Sequence, residues 1–173
     1  MGITPDTKDW TWVLRQPCAE CGFDPAEVRR TALPQRILAA TGTVADALAG
    51  ADVRRRRDPS TWSVLEYGAH VRDVCRVMAG RLALLLSRDD PEFADWDQDA
   101  TAVAERYAEQ DPARVAVELR EAADRLSAAF ADVPEDAWQR PGRRSNGSVF
   151  ITWTLGLYAL HDLEHHVADV TRR

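Results

Sequence analysis

The sequence predicts an all-α protein, a four-helix bundle with an irregular N-terminal arm. Three observations carry that prediction. Apolar residues recur at helical spacing through four long stretches of the 173-residue chain. The segments between them are rich in Pro, Gly, Ser and Asp, the punctuation of turns and caps. No internal repeat or strand-rich block interrupts the pattern, and helices of this length bury their stripes most economically against one another.

Residues 1–23 hold two tryptophans, two prolines and Cys18-x-x-Cys21, without a helical period; they are expected to form an arm lying on a bundle that spans 24–173. Asp24-Pro25-Ala26-Glu27 is a helix-start signature, with Asp as cap and Pro at the first position. Pro34 interrupts the spacing, so the first bundle helix is expected from about Leu33 to residue 49. "RRRRDPSTW" (54–62) is loop. Ser63 and Glu66 have capping-box spacing, and Leu65, Ala69, Val74, Met78, Leu82 and Leu85 mark a second helix ending near Ser87. "RDDPEFADWDQDA" is an acidic loop, followed by a short helix around 99–109. Asp111-Pro112 opens the third helix, which Pro134 stops. "WQRPGRRSNGS" is a turn-rich connection, and the fourth helix is expected from about Ser148 to Thr171. "SVFITWTL" has a strand-like composition but no evident partner strand, so it too is expected to be helical. Connections longer than ten residues imply at least one crossing of the bundle.

Composition narrows the function. An apolar fraction of 45% with 29% charged residues is that of a globular protein. A net charge of −6 argues against a nucleic-acid partner, and the Arg54–Arg57 run reads as a solvated loop. The longest apolar run, "RLALLL", is too short for a membrane span. The first residues lack a basic and apolar leader pattern, so a cytoplasmic protein is expected. One lysine stands against 21 arginines, the usage of a GC-rich genome.

Three of the four histidines crowd into "LHDLEHHVADV" (160–170). His161 and His165, four apart, share one helix face and can offer imidazoles to one ion. His166 is turned about 100° from His165. The fourth, His70, lies mid-helix in the second long element. Imidazoles suit Zn²⁺, Ni²⁺ or Fe²⁺, and three of them leave a coordination position open. Histidines complementing a helix C-terminus are the alternative. "HDLEH" also fits H-x-x-E-H with Glu164 as base, but that motif needs an acidic ligand well downstream, and only eight residues follow His165. Cys18 and Cys21 form half of a zinc site, a redox pair, or simple packing of the arm; Cys75 reads as an ordinary buried thiol. The six tryptophans read as core and helix-junction anchors.

"TWSVLEYGAHVRDV" and "LHDLEHHVADV" resemble the DinB superfamily, four-helix bundles related to YfiT-like proteins and to mycothiol-dependent maleylpyruvate isomerases. The resemblance covers about residues 33–171. It implies a divalent metal, Zn²⁺ or Ni²⁺, on His70, His161 and His165, and a thiol transferase or isomerase acting on a small electrophile. The thiol can be mycothiol, which the GC-rich usage favours. Metal-dependent hydrolysis, or a non-enzymatic metal-binding or dimerising module, is the alternative, and a homodimer fits such bundles. Asp73, three residues after His70, is a candidate to support the metal from outside, whereas Asp162 is expected to be a surface charge. Arg140, Arg143 and Arg144, just before the last helix, are candidates for binding an anionic substrate or cofactor.

Overall fold

The structure, a computed structural model, describes residue 3 and residues 9–171. Residues 1, 2 and 4–8 of the expected arm and 172–173 of the bundle lie outside the described residues. Four long helices form the bundle: α1 (Leu33–Ala47), α2 (Val64–Ser87), α4 (Pro112–Ala131) and α5 (Thr152–Thr171), with a short α3 (Gln98–Ala104) between α2 and α4. Their starts follow the local chemistry. The Ser63 hydroxyl accepts from the Glu66 amide at 3.3 Å, while Glu66 accepts from the Ser63 amide at 2.8 Å, completing the expected capping box. Asp111 caps α4 by accepting from Arg114 N at 2.8 Å, and Pro112 fills the first position, where no amide is missed. Asp24 caps only a 3₁₀ turn (Pro25–Glu27), and α1 starts at Leu33.

Each helix packs against two neighbours in the ring order α1–α4–α2–α5. The pairs α1/α2 and α4/α5 thus stand diagonally, and the long connections within each pair cross an end of the bundle, whereas α2 and α4 are direct neighbours. One core runs through all four, centred on Leu33, Ile37, Leu82, Leu119, Leu126, Phe130 and Leu155. A smaller cluster around Leu65 and Tyr107 closes the α3 end.

The connection before α5 departs from expectation. Pro141–Arg144 (β2) pairs antiparallel with Val149–Ile151 (β3), and Glu92–Phe93 (β1) pairs parallel with β2. The strand-like "SVFI" does have a partner, hidden in "PGRR", and α5 begins four residues later than expected. Gly142 explains part of the register: a Cβ there would meet Leu85 Cδ2 at 2.4 Å and the Pro91 carbonyl oxygen at 3.1 Å. Only glycine lets the strand lie on α2 at that point.

Candidate metal centre

The sequence "HDLEHH" builds two donor sets on neighbouring faces of α5. A residue advances about 100° around a helix, so pairs four apart fall on one face. His161 and His165 make one such pair, and Asp162 and His166 make another, offset by one residue. The offset sends the two pairs to different partners. Asp162 and His166 meet His70 of α2, and His161 and His165 meet Cys18 and Cys21 of the arm. In each group, one donor atom per residue lies within 4.8 Å of all the others. The structure therefore does not bring His70 together with His161 and His165 as the sequence led us to expect. The physical reason is the rotation: His70 faces the 162/166 side of α5.

His70 is fully buried, its ring stacked on Trp96 at 5.4 Å and tilted against Trp62 at 4.9 Å. The His166 ring stands edge-on to it at 4.7 Å. Asp162 Oδ1 lies 3.5 Å from His70 Nε2 and 3.2 Å from His166 Nε2. Neither contact has the alignment of a hydrogen bond. Both His70 ring nitrogens and Asp162 Oδ1 are buried with no hydrogen-bond partner among the described residues. Buried polar groups are rarely left so. Asp169 holds the other side of His166, its Oδ2 2.9 Å from Nδ1. An ionised carboxylate only accepts, so Nδ1 carries the proton. In the neutral imidazole Nε2 then keeps its lone pair and faces Asp162 and His70.

The electrostatics fit a cation. Burial works against ionisation of Asp162, yet the adjoining His166 and His70 hold it well below the usual carboxylate range. Burial also lowers His166, but Asp162 and Asp169 override it and raise the group to about 9. Two carboxylates thus demand positive charge here, from a proton or from a metal. Burial lowers His70, so its imidazole is neutral at physiological pH, the form that ligates metals.

Asp162 and His166 open onto a cavity of about 490 Å³ walled by Trp10, Trp62 and Tyr67. Asp162 and Tyr158 also face a second cavity of about 590 Å³, floored by Arg81 and Arg144. The two share Trp10, Gln98, Asp99, Tyr158 and Asp162 as common walls. Trp62, expected only to pack, both packs on His70 and lines the first cavity.

The other sequence candidates sort by geometry. Asp73 does not face His70. It accepts from Arg72 twice at 2.9 Å, from Arg76 at 3.0 Å and from the Tyr107 hydroxyl at 2.7 Å, in a network that ties α2 to the Tyr107 turn. Asp162, expected at the surface, is the carboxylate that does face His70. Arg140 donates to the Leu85 and Arg88 carbonyls at 2.5 and 2.6 Å and to Asp89 Oδ1 at 3.3 Å, so it is engaged by the end of α2 and the residues after it. Arg143 is ion-paired with Asp90 at the surface. Of the three arginines only Arg144 reaches a cavity, its guanidinium over Phe150 and Tyr158. Glu164 is held by Arg36 in a two-pronged ion pair, both contacts 2.8 Å, which removes it as an H-x-x-E-H base. Cys75 is buried, and burial pushes its thiol up to about 12.

A helical bundle whose cleft is floored by convergent histidine and carboxylate donors defines the class. The model of the DinB superfamily matches residues 35–168, and the chain belongs to that superfamily. Among solved structures the fold matches YfiT from Bacillus subtilis at a TM-score of 0.74, with 18% identity, over 87% of this chain and 93% of that one. That protein is described as a probable metal-dependent hydrolase with an unusual four-helix bundle topology. No curated protein matches the sequence.

Proposed function

We propose that the chain is a metal-dependent enzyme whose ion is held by His70 Nε2, Asp162 Oδ1 and His166 Nε2, and that it transfers or adds a small thiol to an electrophile. One observation carries the reading: three donor atoms converge at the floor of a cleft, and those of His70 and Asp162 are buried with no hydrogen-bond partner among the described residues. Two imidazoles and one carboxylate are a donor set for Zn²⁺, Ni²⁺ or Fe²⁺ that leaves positions open. Such an ion supplies Lewis-acid character, which stabilises the anionic form of a thiol or of water at neutral pH.

The chain's own groups do the rest. Asp169 fixes the tautomer and tilt of His166. Trp62 and Trp96 clamp the His70 ring and keep water from its other face. Two cavities meeting at Asp162 and Tyr158 suit a reaction with two substrates. The first, with aromatic walls, takes the thiol cofactor, mycothiol among the candidates. The second, with Arg81 and Arg144, takes an electrophile carrying a carboxylate. Hydrolysis is the second reading, favoured by the likeness to YfiT. With a negatively charged chain, the partner is a small molecule rather than nucleic acid.

The test is a panel of mycothiol, bacillithiol and glutathione against activated alkenes and alkyl halides, run beside ester and amide hydrolysis. Thiol consumption that needs added Zn²⁺ or Ni²⁺ and falls at least about 100-fold in Asp162→Asn supports the proposal, since that change replaces the anionic ligand with a weaker, neutral amide oxygen. Metal-dependent hydrolysis without thiol selects the second reading. Turnover indifferent to metal and to Asp162→Asn overturns both.

A further inference from the structure

The second donor set borders the same first cavity, where His161 and His165 stand beside Asp162 and His166, but it takes no part in the chemistry proposed for the cleft ion. We infer that Cys18, Cys21, His161 and His165 bind one structural Zn²⁺ that fastens the N-terminal arm to α5. The inference stands apart from the cleft reading, because it uses none of the residues assigned to the cleft ion.

The arm is shaped for it. Residues 18–23 form a tight knuckle, in which the Cys18 carbonyl accepts from Gly22 N at 2.8 Å and Cys18 N donates to the Phe23 carbonyl at 2.8 Å. Gly22 sits at φ +79°, a conformation that suits glycine. The turn brings both thiols to one side, and the Phe23 amide donates to the Cys21 sulfur. Both cysteines are free thiols. Across from them, Cys18 Sγ lies 3.9 Å from His165 Nδ1. His161 is 3% exposed, yet its Nε2 has no hydrogen-bond partner among the described residues. One ring nitrogen of His161 lies within 4.8 Å of a donor atom on each of Cys18, Cys21 and His165. Glu20, inside the knuckle, places Oε2 3.7 Å from His165 Nε2, on the opposite side of the ring from Cys18, where a carboxylate orients a ligating histidine.

Two sulfurs and two imidazole nitrogens are the donor set of a tetrahedral zinc site, and four protein ligands leave no position open. The ion displaces the two thiol protons to solvent and binds the thiolates. The consequence reaches the cleft. The arm carries Trp10, whose ring packs on His161 at 5.4 Å and His165 at 5.0 Å and walls both cavities. Zinc there holds one wall of the cleft in place.

The experiment uses the full chain purified under reducing conditions. Wild type, Cys21→Ser, His161→Ala and His70→Ala are compared by elemental analysis and, after exchange into Co²⁺, by absorption. The site predicts a cobalt–thiolate charge-transfer band in wild type and in His70→Ala. It also predicts loss of the band and of about one equivalent of zinc in Cys21→Ser and His161→Ala, one ion being what four ligands hold. In wild type, which needs no substitution to fold, Cys18 and Cys21 should resist alkylation until a chelator is added. A Cys18–Cys21 disulfide by mass, a cobalt spectrum without the thiolate band, or alkylation at the same rate with and without chelator would each overturn the inference.

Discussion

Replacing Asp169 isolates how the cleft ion is held. Its carboxylate reaches the donor group through His166, by the 2.9 Å contact to Nδ1. Removing such an outer carboxylate costs about 10–100-fold in metal affinity, or about 1.4–2.8 kcal/mol at tenfold per 1.4 kcal/mol. Two substitutions divide that range. Asp169→Asn keeps an acceptor oxygen at the same reach and loses only the charge, so about tenfold is expected. Asp169→Ala loses the acceptor as well, freeing the ring to turn its proton toward the ion, and about 100-fold is expected. Competition of Ni²⁺ or Zn²⁺ against a chromophoric chelator gives the affinity, with His70→Ala defining binding elsewhere in the chain. Affinities of Asp169→Ala within twofold of wild type would mean that His166 does not ligate through Nε2, and the proposed centre would lose a ligand.

The Asp73 network makes a prediction about stability and pH. Burial opposes its charge, but hydrogen bonds from Arg72 and Tyr107 hold its folded pKa below the ordinary value. Its contribution is therefore complete above the unfolded value, about 3.9, and is lost as pH falls through the lower folded value. Asp73→Asn should cost about 2–4 kcal/mol in urea unfolding at pH 7, because it strips a buried Arg72 of a partner while leaving Glu118. The gap from wild type should narrow near pH 3; an unchanged gap would contradict the network. Glu164→Gln should retain turnover and metal and cost only about 0.5–1 kcal/mol, the worth of a part-exposed two-pronged pair. Loss of activity by orders of magnitude with the metal retained would restore Glu164 as a catalytic base. Gly156→Ala places a Cβ 2.7 Å from Leu33 Cδ2 and 3.1 Å from Phe130 Cε1. The helix-propensity gain of about 1 kcal/mol should lose to overpacking of about 1–3 kcal/mol, and a raised melting temperature would show the core yields there.

The long helices were legible because each carries its own punctuation: Ser63 with Glu66, Asp111 with Pro112, and apolar spacing through 65–85 and 115–130. The hairpin was not. Each of its strands is three or four residues long, and "PGRR" has no strand character until "VFI" pairs with it. Helical spacing showed that His161 and His165 share a face, but it applies equally to Asp162 and His166. Attention to histidines alone concealed the carboxylate in the second pair. Which face meets α2 depends on how α5 is rotated in the bundle, and one chain's periodicity does not encode that angle. Asp73 misled for the same reason, since its neighbour in sequence is His70 while its neighbours in space are Arg72 and Tyr107. The Cys18 and Cys21 knuckle was legible as half a site; its other half lay more than 130 residues away.

The central claim is the grouping of His70 with Asp162 and His166. Crystals of the metal-loaded protein, measured at and below the absorption edge of the bound ion, locate that ion directly by anomalous scattering. The account predicts a peak within bonding distance of His70 Nε2, Asp162 Oδ1 and His166 Nε2. A peak joining His70 to His161 and His165, or a loaded crystal with no peak beside His70, would contradict it.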